Sequence, residues 1–223
     1  MIFFKFSSAG APEIKIVADF NNDGYDDLMI SHYENNSPPT IYLSNGDGSF
    51  LPQEGMPKSA GRRHIRVASA VDINNDGWLD LYVCGFESPN RLYINYEGKF
   101  KEQAKSYGLD FKGASVMMAF ADYDNDGDSD FYLANDQDPN FLFQNRGDGN
   151  FDEIALIAGV AYNGVGKEEA GMRTAFGDYD NDGYLDLTVS NFQTETNTIY
   201  HLSLIHISEP TRQAEISYAV FCL

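Results

Sequence analysis

Short apolar runs alternate along this chain with polar, glycine-containing gaps. Leu28-Met-Ile-Ser, Leu81-Tyr-Val-Cys, Phe131-Tyr-Leu-Ala and Leu187-Thr-Val-Ser have strand length and apolar alternation. Another run enters each one across an aspartate-rich gap: Ile14–Ala18, Val67–Val71, Met117–Ala121 and Arg173–Gly177. A third set follows, as Thr40-Ile-Tyr-Leu-Ser-Asn-Gly-Asp-Gly-Ser-Phe50, Arg91-Leu-Tyr-Ile-Asn-Tyr-Glu-Gly-Lys-Phe100 and Phe141-Leu-Phe-Gln-Asn-Arg-Gly-Asp-Gly-Asn-Phe151. Strand, glycine turn and aromatic restart spell a hairpin. No long 3.6-residue periodicity competes, and Gly113–Met118 and Glu168–Gly171 read as connectors. The pattern predicts an all-β chain with about four strands per period.

The aspartate-rich gaps set that period. They read Asp19-Phe-Asn-Asn-Asp-Gly-Tyr-Asp-Asp27, Asp72-Ile-Asn-Asn-Asp-Gly-Trp-Leu-Asp80, Asp122-Tyr-Asp-Asn-Asp-Gly-Asp-Ser-Asp130 and Asp178-Tyr-Asp-Asn-Asp-Gly-Tyr-Leu-Asp186, at offsets of 53, 50 and 56 residues. A period near 50 suits a β-propeller blade, a four-stranded unit that cannot bury its faces alone. The expected blades are 13–60, 61–112, 113–166 and a partial one at 167–201. Residues 1–12, with the apolar Met1–Phe6, read as a remnant of a preceding blade.

Positions 1, 3, 5 and 9 of each gap carry short oxygen donors. They are Asp19, Asn21, Asp23 and Asp27; Asp72, Asn74, Asp76 and Asp80; Asp122, Asp124, Asp126 and Asp130; and Asp178, Asp180, Asp182 and Asp186. Calcium prefers six to eight such oxygens, carbonyls included. Position 6 is always glycine, which permits the positive φ of a sharp turn. The position-7 carbonyl (Tyr25, Trp78, Asp128, Tyr184) is then a natural backbone ligand. Two carboxylates about 4 Å apart repel by roughly 4 kcal/mol at an effective dielectric near 20, so three or four in one loop need a counter-ion. Magnesium rarely uses an all-protein cage. Zinc would want His or Cys, which the loops lack. An EF-hand would need a Glu at position 12 and flanking helices. Position 12 is instead Ile30, Val83, Leu133 or Val189. Four strand–loop–strand sites for four calcium ions are therefore expected.

These loops and the Leu-Tyr-x-Asn and Gly-Asp-Gly-x-Phe hairpins resemble FG-GAP/VCBS repeats, the calcium-bearing propeller repeats of integrin α-subunit heads and of many secreted bacterial proteins. Ala175-Phe-Gly-Asp-Tyr-Asp-Asn-Asp-Gly183 and Pro89-Asn-Arg-Leu-Tyr93 are most similar to proteins of the cartilage-acidic-protein (ASPIC/UnbV) type. The resemblance covers roughly residues 13–200. It implies about three and a half blades of an expected seven, the others supplied by the full-length protein.

The repeat breaks after Thr198-Ile-Tyr200. Leu202–Leu223 holds no Gly and no Asp, and resembles a translated sequencing adapter. It is expected to lie outside the native repeats, in a fragment of metagenomic kind.

The chain has 34 acidic against 15 basic residues, a net charge of −19. Such a balance argues against nucleic-acid and anionic-membrane partners. Fourteen of the acids are the loop aspartates named above, so much of the charge belongs to the metal sites. No run of about 18 apolar residues marks a membrane span, and the short Met1–Phe6 run does not read as a signal peptide. Cys84 and Cys222 lie far apart without metal-like spacing, and Cys84 reads as a core residue. Trp78 reads as packing rather than as a sugar platform. Arg62-Arg63-His64 reads as a solvated loop, and Asp26 and Asp128 as acids outside the immediate ligand shell. His32, His64, His201 and His206 show no triad-like arrangement. The expected function is an extracellular or cell-surface, non-catalytic binding or adhesion module for a protein or glycan. The competing readings are the propeller part of a larger exported enzyme, of polysaccharide lyase or phosphatase type, and a structural scaffold in a surface assembly.

Overall fold

The computed structural model describes residues 12–32, 39–53, 65–85 and 88–203. The expected remnant before residue 12, the Arg62–His64 cluster, His206, Cys222 and the adapter-like segment from residue 204 lie outside them. The regular structure among the described residues is almost entirely antiparallel β. The strands are β1 (Pro12–Ala18), β2 (Asp27–His32), β3 (Thr40–Ser44), β4 (Phe50–Pro52), β5 (Ile65–Val71), β6 (Asp80–Gly85), β7 (Arg91–Tyr96), β8 (Lys99–Glu102), β9 (Ser115–Ala121), β10 (Asp130–Asn135), β11 (Phe141–Asn145), β12 (Phe151–Glu153), β13 (Gly171–Gly177), β14 (Asp186–Asn191) and β15 (Thr198–Tyr200). One short 3₁₀ helix spans Ala104–Tyr107. The strands pair in chain order into separate sheets: β1-β2-β3-β4, β5-β6-β7-β8, β9-β10-β11-β12 and β13-β14-β15. The chain divides into two units, residues 1–113 and 114–223.

Each nine-residue aspartate loop joins the first and second strands of its sheet. The pairs Ala18–Asp27, Val71–Asp80, Ala121–Asp130 and Gly177–Asp186 close the loops. One extra residue interrupts each first strand: Lys15, Arg66, Val116 and Met172 fall between consecutive register pairs. Such bulges bend a strand and increase its twist.

Two of the second strands depart from the alternation that the sequence suggests. Every residue of β6 and of β10 is buried, as expected of a strand covered on both faces. In the first unit Phe20, Met29 and Ile41 pack with Leu81, Val83, Tyr93 and Phe100. Phe20 meets Phe100 edge-on, with ring centroids 6.0 Å apart. In the second unit Tyr123, Tyr132 and Leu142 pack with Leu187, Val189 and Leu202. Burying each such side chain contributes about 1.5–3 kcal/mol. Cys84 is buried within β6 and forms no disulfide among the described residues.

Two tyrosines of the second strands tie down the connectors. Tyr82 donates to the Leu109 carbonyl (3.0 Å) and accepts from the Asn90 amide (3.0 Å). Tyr132 likewise donates to the Val160 carbonyl (3.0 Å). Tyr82→Phe should lower stability by about 1–3 kcal/mol, because the Leu109 carbonyl and the Asn90 amide lose a buried partner. Urea melts of the two proteins measure this; equal midpoints would refute it.

Candidate metal centres

The four loops fold alike because their left-handed positions recur. Asn22, Asn75, Asn125 and Asn181 have φ of 54°, 55°, 61° and 60°. Gly24, Gly77, Gly127 and Gly183 follow two residues later at 87°, 86°, 94° and 91°. Asn tolerates the first position and Gly suits the second.

The loop aspartates are then aimed by backbone N–H groups. The position-1 carboxylate accepts from residues 5 and 6: Asp23 N–H and Gly24 N–H lie 3.1 and 2.8 Å from the Asp19 oxygens. Asp72, Asp122 and Asp178 repeat this pair. The position-5 carboxylate accepts the N–H of position 7 at 2.9 Å in every loop. Asp122, Asp124 and Asp130 bring ligand oxygens within 4.8 Å of one another, and so do Asp178, Asp180 and Asp186. The first two loops carry Asn at position 3. There the Asn21 and Asn74 amides donate to Asp23 and Asp76, each at 2.9 Å.

Position 9 differs from the others in burial. Asp27, Asp80, Asp130 and Asp186 are fully buried. Each ties the start of its loop to the third strand of its sheet or, in the fourth, to the residue after His201. Asp80 accepts the Ile73 N–H (3.1 Å) at the start of its loop and the Asn95 N–H (2.8 Å) at the end of β7. Asp130 does the same with Tyr123 (3.2 Å) and Asn145 (2.7 Å). Asp27 holds Phe20 and Ser44, and Asp186 holds Tyr179 and Leu202. Leu202, the first residue of the adapter-like segment, thus occupies the place of Ser44, Asn95 and Asn145. Its N–H makes the contact, so the position asks for no particular side chain.

Burial raises all four of these carboxyls. Asp80 is pushed up to about 7 and Asp130 to about 8, chiefly by desolvation, with the neighbouring loop aspartates adding to the rise. Asp27 and Asp186 are raised for the same first reason. A buried acid facing further acids is a poor place for bare negative charge and a good one for a dication. The donor set is all oxygen within the loops, and its residues fit calcium.

In the first and third loops the position-7 side chain packs against the hairpin turn. A Cβ on Gly46, whose φ is +73°, would lie 2.6 Å from the Tyr25 ring, and one on Gly147 would lie 2.6 Å from an Asp128 carboxylate oxygen. Trp78 is half-buried, and Asp26 is exposed. In the first unit the Asn22 amide reaches the Gly77 carbonyl of the second loop at 3.0 Å.

The sequence reading missed one residue. His201 follows β15 and stands where the first three repeats carry Leu43, Ile94 and Gln144, each one residue before the N–H that position 9 clamps. Its Nδ1 is 3.5 Å from Asp180 and 3.8 Å from Asp186, and its Nε2 is 3.6 Å from Asp182. Gln144 likewise reaches its own loop, donating to Asp124 at 2.5 Å. The repeat alignment carried this signal, since those four residues share a register.

A family profile described as FG-GAP-like repeat matches residues 19–83, 72–133 and 122–189. Cartilage acidic protein 1 of Homo sapiens is 29% identical over 171 residues, covering 70% of this chain and 25% of that protein. Its Xenopus tropicalis counterpart is 38% identical over 171 residues, with the same coverage. The chain therefore spans about a quarter of the length of these relatives. A solved structure of an Agrocybe aegerita lectin, described as recognising non-reducing terminal N-acetylglucosamine, superposes with a TM-score of 0.52 at 19% identity. That match covers 84% of this chain and 49% of the lectin. The fold is all-β and of the propeller type, and the chain belongs to the FG-GAP-like repeat family.

Proposed function

We propose that this chain is a calcium-stabilised, non-catalytic binding module of the extracellular space or cell surface, with a protein or glycan ligand. The observation that carries the reading is the fourfold recurrence of one loop geometry around a buried aspartate. One ion per loop would be held by Asp19, Asn21, Asp23 and Asp27; by Asp72, Asn74, Asp76 and Asp80; by Asp122, Asp124, Asp126 and Asp130; and by Asp178, Asp180, Asp182 and Asp186. The carbonyls of Tyr25, Trp78, Asp128 and Tyr184 would complete each shell. The ion would cancel carboxylate repulsion and lock the first two strands of each sheet to the third. Extracellular calcium modules bind at roughly 10⁻⁴–10⁻³ M, the range that suits an exported protein. With the loop carboxylates committed to metal, ligand recognition falls to the exposed surface around them.

Calorimetric titration of the full chain should find about four calcium ions. The double variant Asp124→Ala, Asp126→Ala should bind one fewer and leave the others unchanged. No heat at millimolar calcium would refute the metal reading. A glycan array probed with the calcium-loaded chain, and pull-downs against extracellular proteins, test the binding role separately.

A further inference from the structure

The fourth loop is chemically unlike the other three, because an imidazole closes over it. His201 lies within 3.5–3.8 Å of oxygens of Asp180, Asp182 and Asp186. Asp180, Asp182 and His201 bring one ligand atom each within 4.8 Å of one another. The Nε2–Asp182 separation of 3.6 Å is near ~3.4 Å, the edge of a tetrahedron with metal–ligand bonds of about 2.1 Å. The ring is also held in place. The Tyr179 hydroxyl lies 3.2 Å from Nδ1, and the two rings meet at 87° with centroids 5.8 Å apart. When Nδ1–H donates to that hydroxyl, Nε2 is left as a lone-pair donor beside Asp182. An outer partner that fixes the tautomer of a ligating histidine is the usual companion of a metal-bound imidazole. At the same register position Leu43 and Ile94 offer no donor, and Gln144 offers only an amide.

We propose that the fourth loop is a zinc-class site, in which His201, Asp180 and Asp182 hold a borderline divalent cation that the three other loops do not select. The inference rests on the reading of the fourth loop as a cation site. The added nitrogen is what separates zinc from calcium: imidazole favours zinc, while carboxylates and carbonyls suit calcium. Three protein ligands leave a fourth position for water. Because Asp180 and Asp182 also belong to the calcium set, the two ions compete at this loop alone.

Zinc is titrated into the full chain at saturating calcium, with a chromophoric chelator as competitor, and cobalt(II) is added in parallel as a visible reporter. One zinc equivalent should bind, displacing one calcium, and cobalt should give the absorption of a four-coordinate site. His201→Leu and His201→Gln install residues that the first and third repeats already carry there. Both should weaken zinc by at least about tenfold, the loss typical of removing a mere outer partner, and abolish the cobalt band. Their calcium stoichiometry should stay at the wild-type value, which also shows that they fold. Zinc affinity unchanged by both variants would overturn the proposal. So would wild-type protein that binds calcium normally but takes up no zinc equivalent. Failure of calcium binding itself, read on the same samples, would instead strike the reading on which the proposal rests.

Discussion

Calcium-free protein should become less stable as pH rises from about 4 to about 8, and saturating calcium should remove that slope. In the fold Asp80 and Asp130 titrate near 7 and 8, against 3.8 for the ordinary carboxyl, and Asp27 and Asp186 are also raised. Between the unfolded and folded values the native state holds more protons than the unfolded chain. Stability therefore falls with rising pH across that window. Below about 4 both states are protonated and the penalty is absent; above about 8 it is complete. Each pH unit between a group's unfolded and folded values costs about 1.36 kcal/mol. Asp47, Asp148 and Asp182 are held low by hydrogen bonds, from Ser49, Asn150 and Tyr184 first. Their contribution is lost only as pH falls below the ordinary carboxylate range, so it does not mask the slope. A dication holds all the loop carboxylates ionised, so folding no longer takes up protons. Melts at pH 4.5, 6 and 7.5, with chelator and with millimolar calcium, decide this. A calcium-free protein whose stability is flat or rises across the window would contradict it.

Asp130→Ala should be the most damaging single substitution in the third loop. It removes a metal ligand and strands two buried N–H groups, those of Tyr123 and Asn145. Each unsatisfied donor costs about 1–3 kcal/mol, so the backbone loss alone is roughly 2–6 kcal/mol. Asp126→Ala removes a ligand too, but its N–H partner, Asp128, lies in an exposed stretch where water can substitute. Asp130→Asn keeps one acceptor and should fall between them. Denaturant melts in saturating calcium should rank the variants Asp130→Ala, Asp130→Asn, Asp126→Ala from least to most stable. Equal losses for the two alanine variants would show that position 9 acts only through the metal.

The strands, the loops and their period were legible because each depends on local pattern: apolar runs of strand length, Asn and Gly at left-handed positions, glycine turns. The separate role of the ninth aspartate was not. In the sequence Asp80 looks like Asp76, and only the register of β6 against β7 sets its oxygens beside the Asn95 N–H. The full burial of β6 and β10 was hidden for a related reason, since it depends on what covers a strand's second face. His201 escaped because its loop partners lie 15–21 residues away in sequence, and the end of β15 carries it there.

The extra residue in each first strand has a consequence for how such a chain grows. In the second, third and fourth sheets it follows the same first five pairs from the loop; in the first sheet it comes two residues nearer the loop. Each of these strands is a sheet edge. An edge kinked there cannot offer an unbroken ladder to another strand. Duplicating a period therefore adds a new sheet rather than widening an old one. Gene duplication can count repeats in whole units, with no re-registering of the strands already paired.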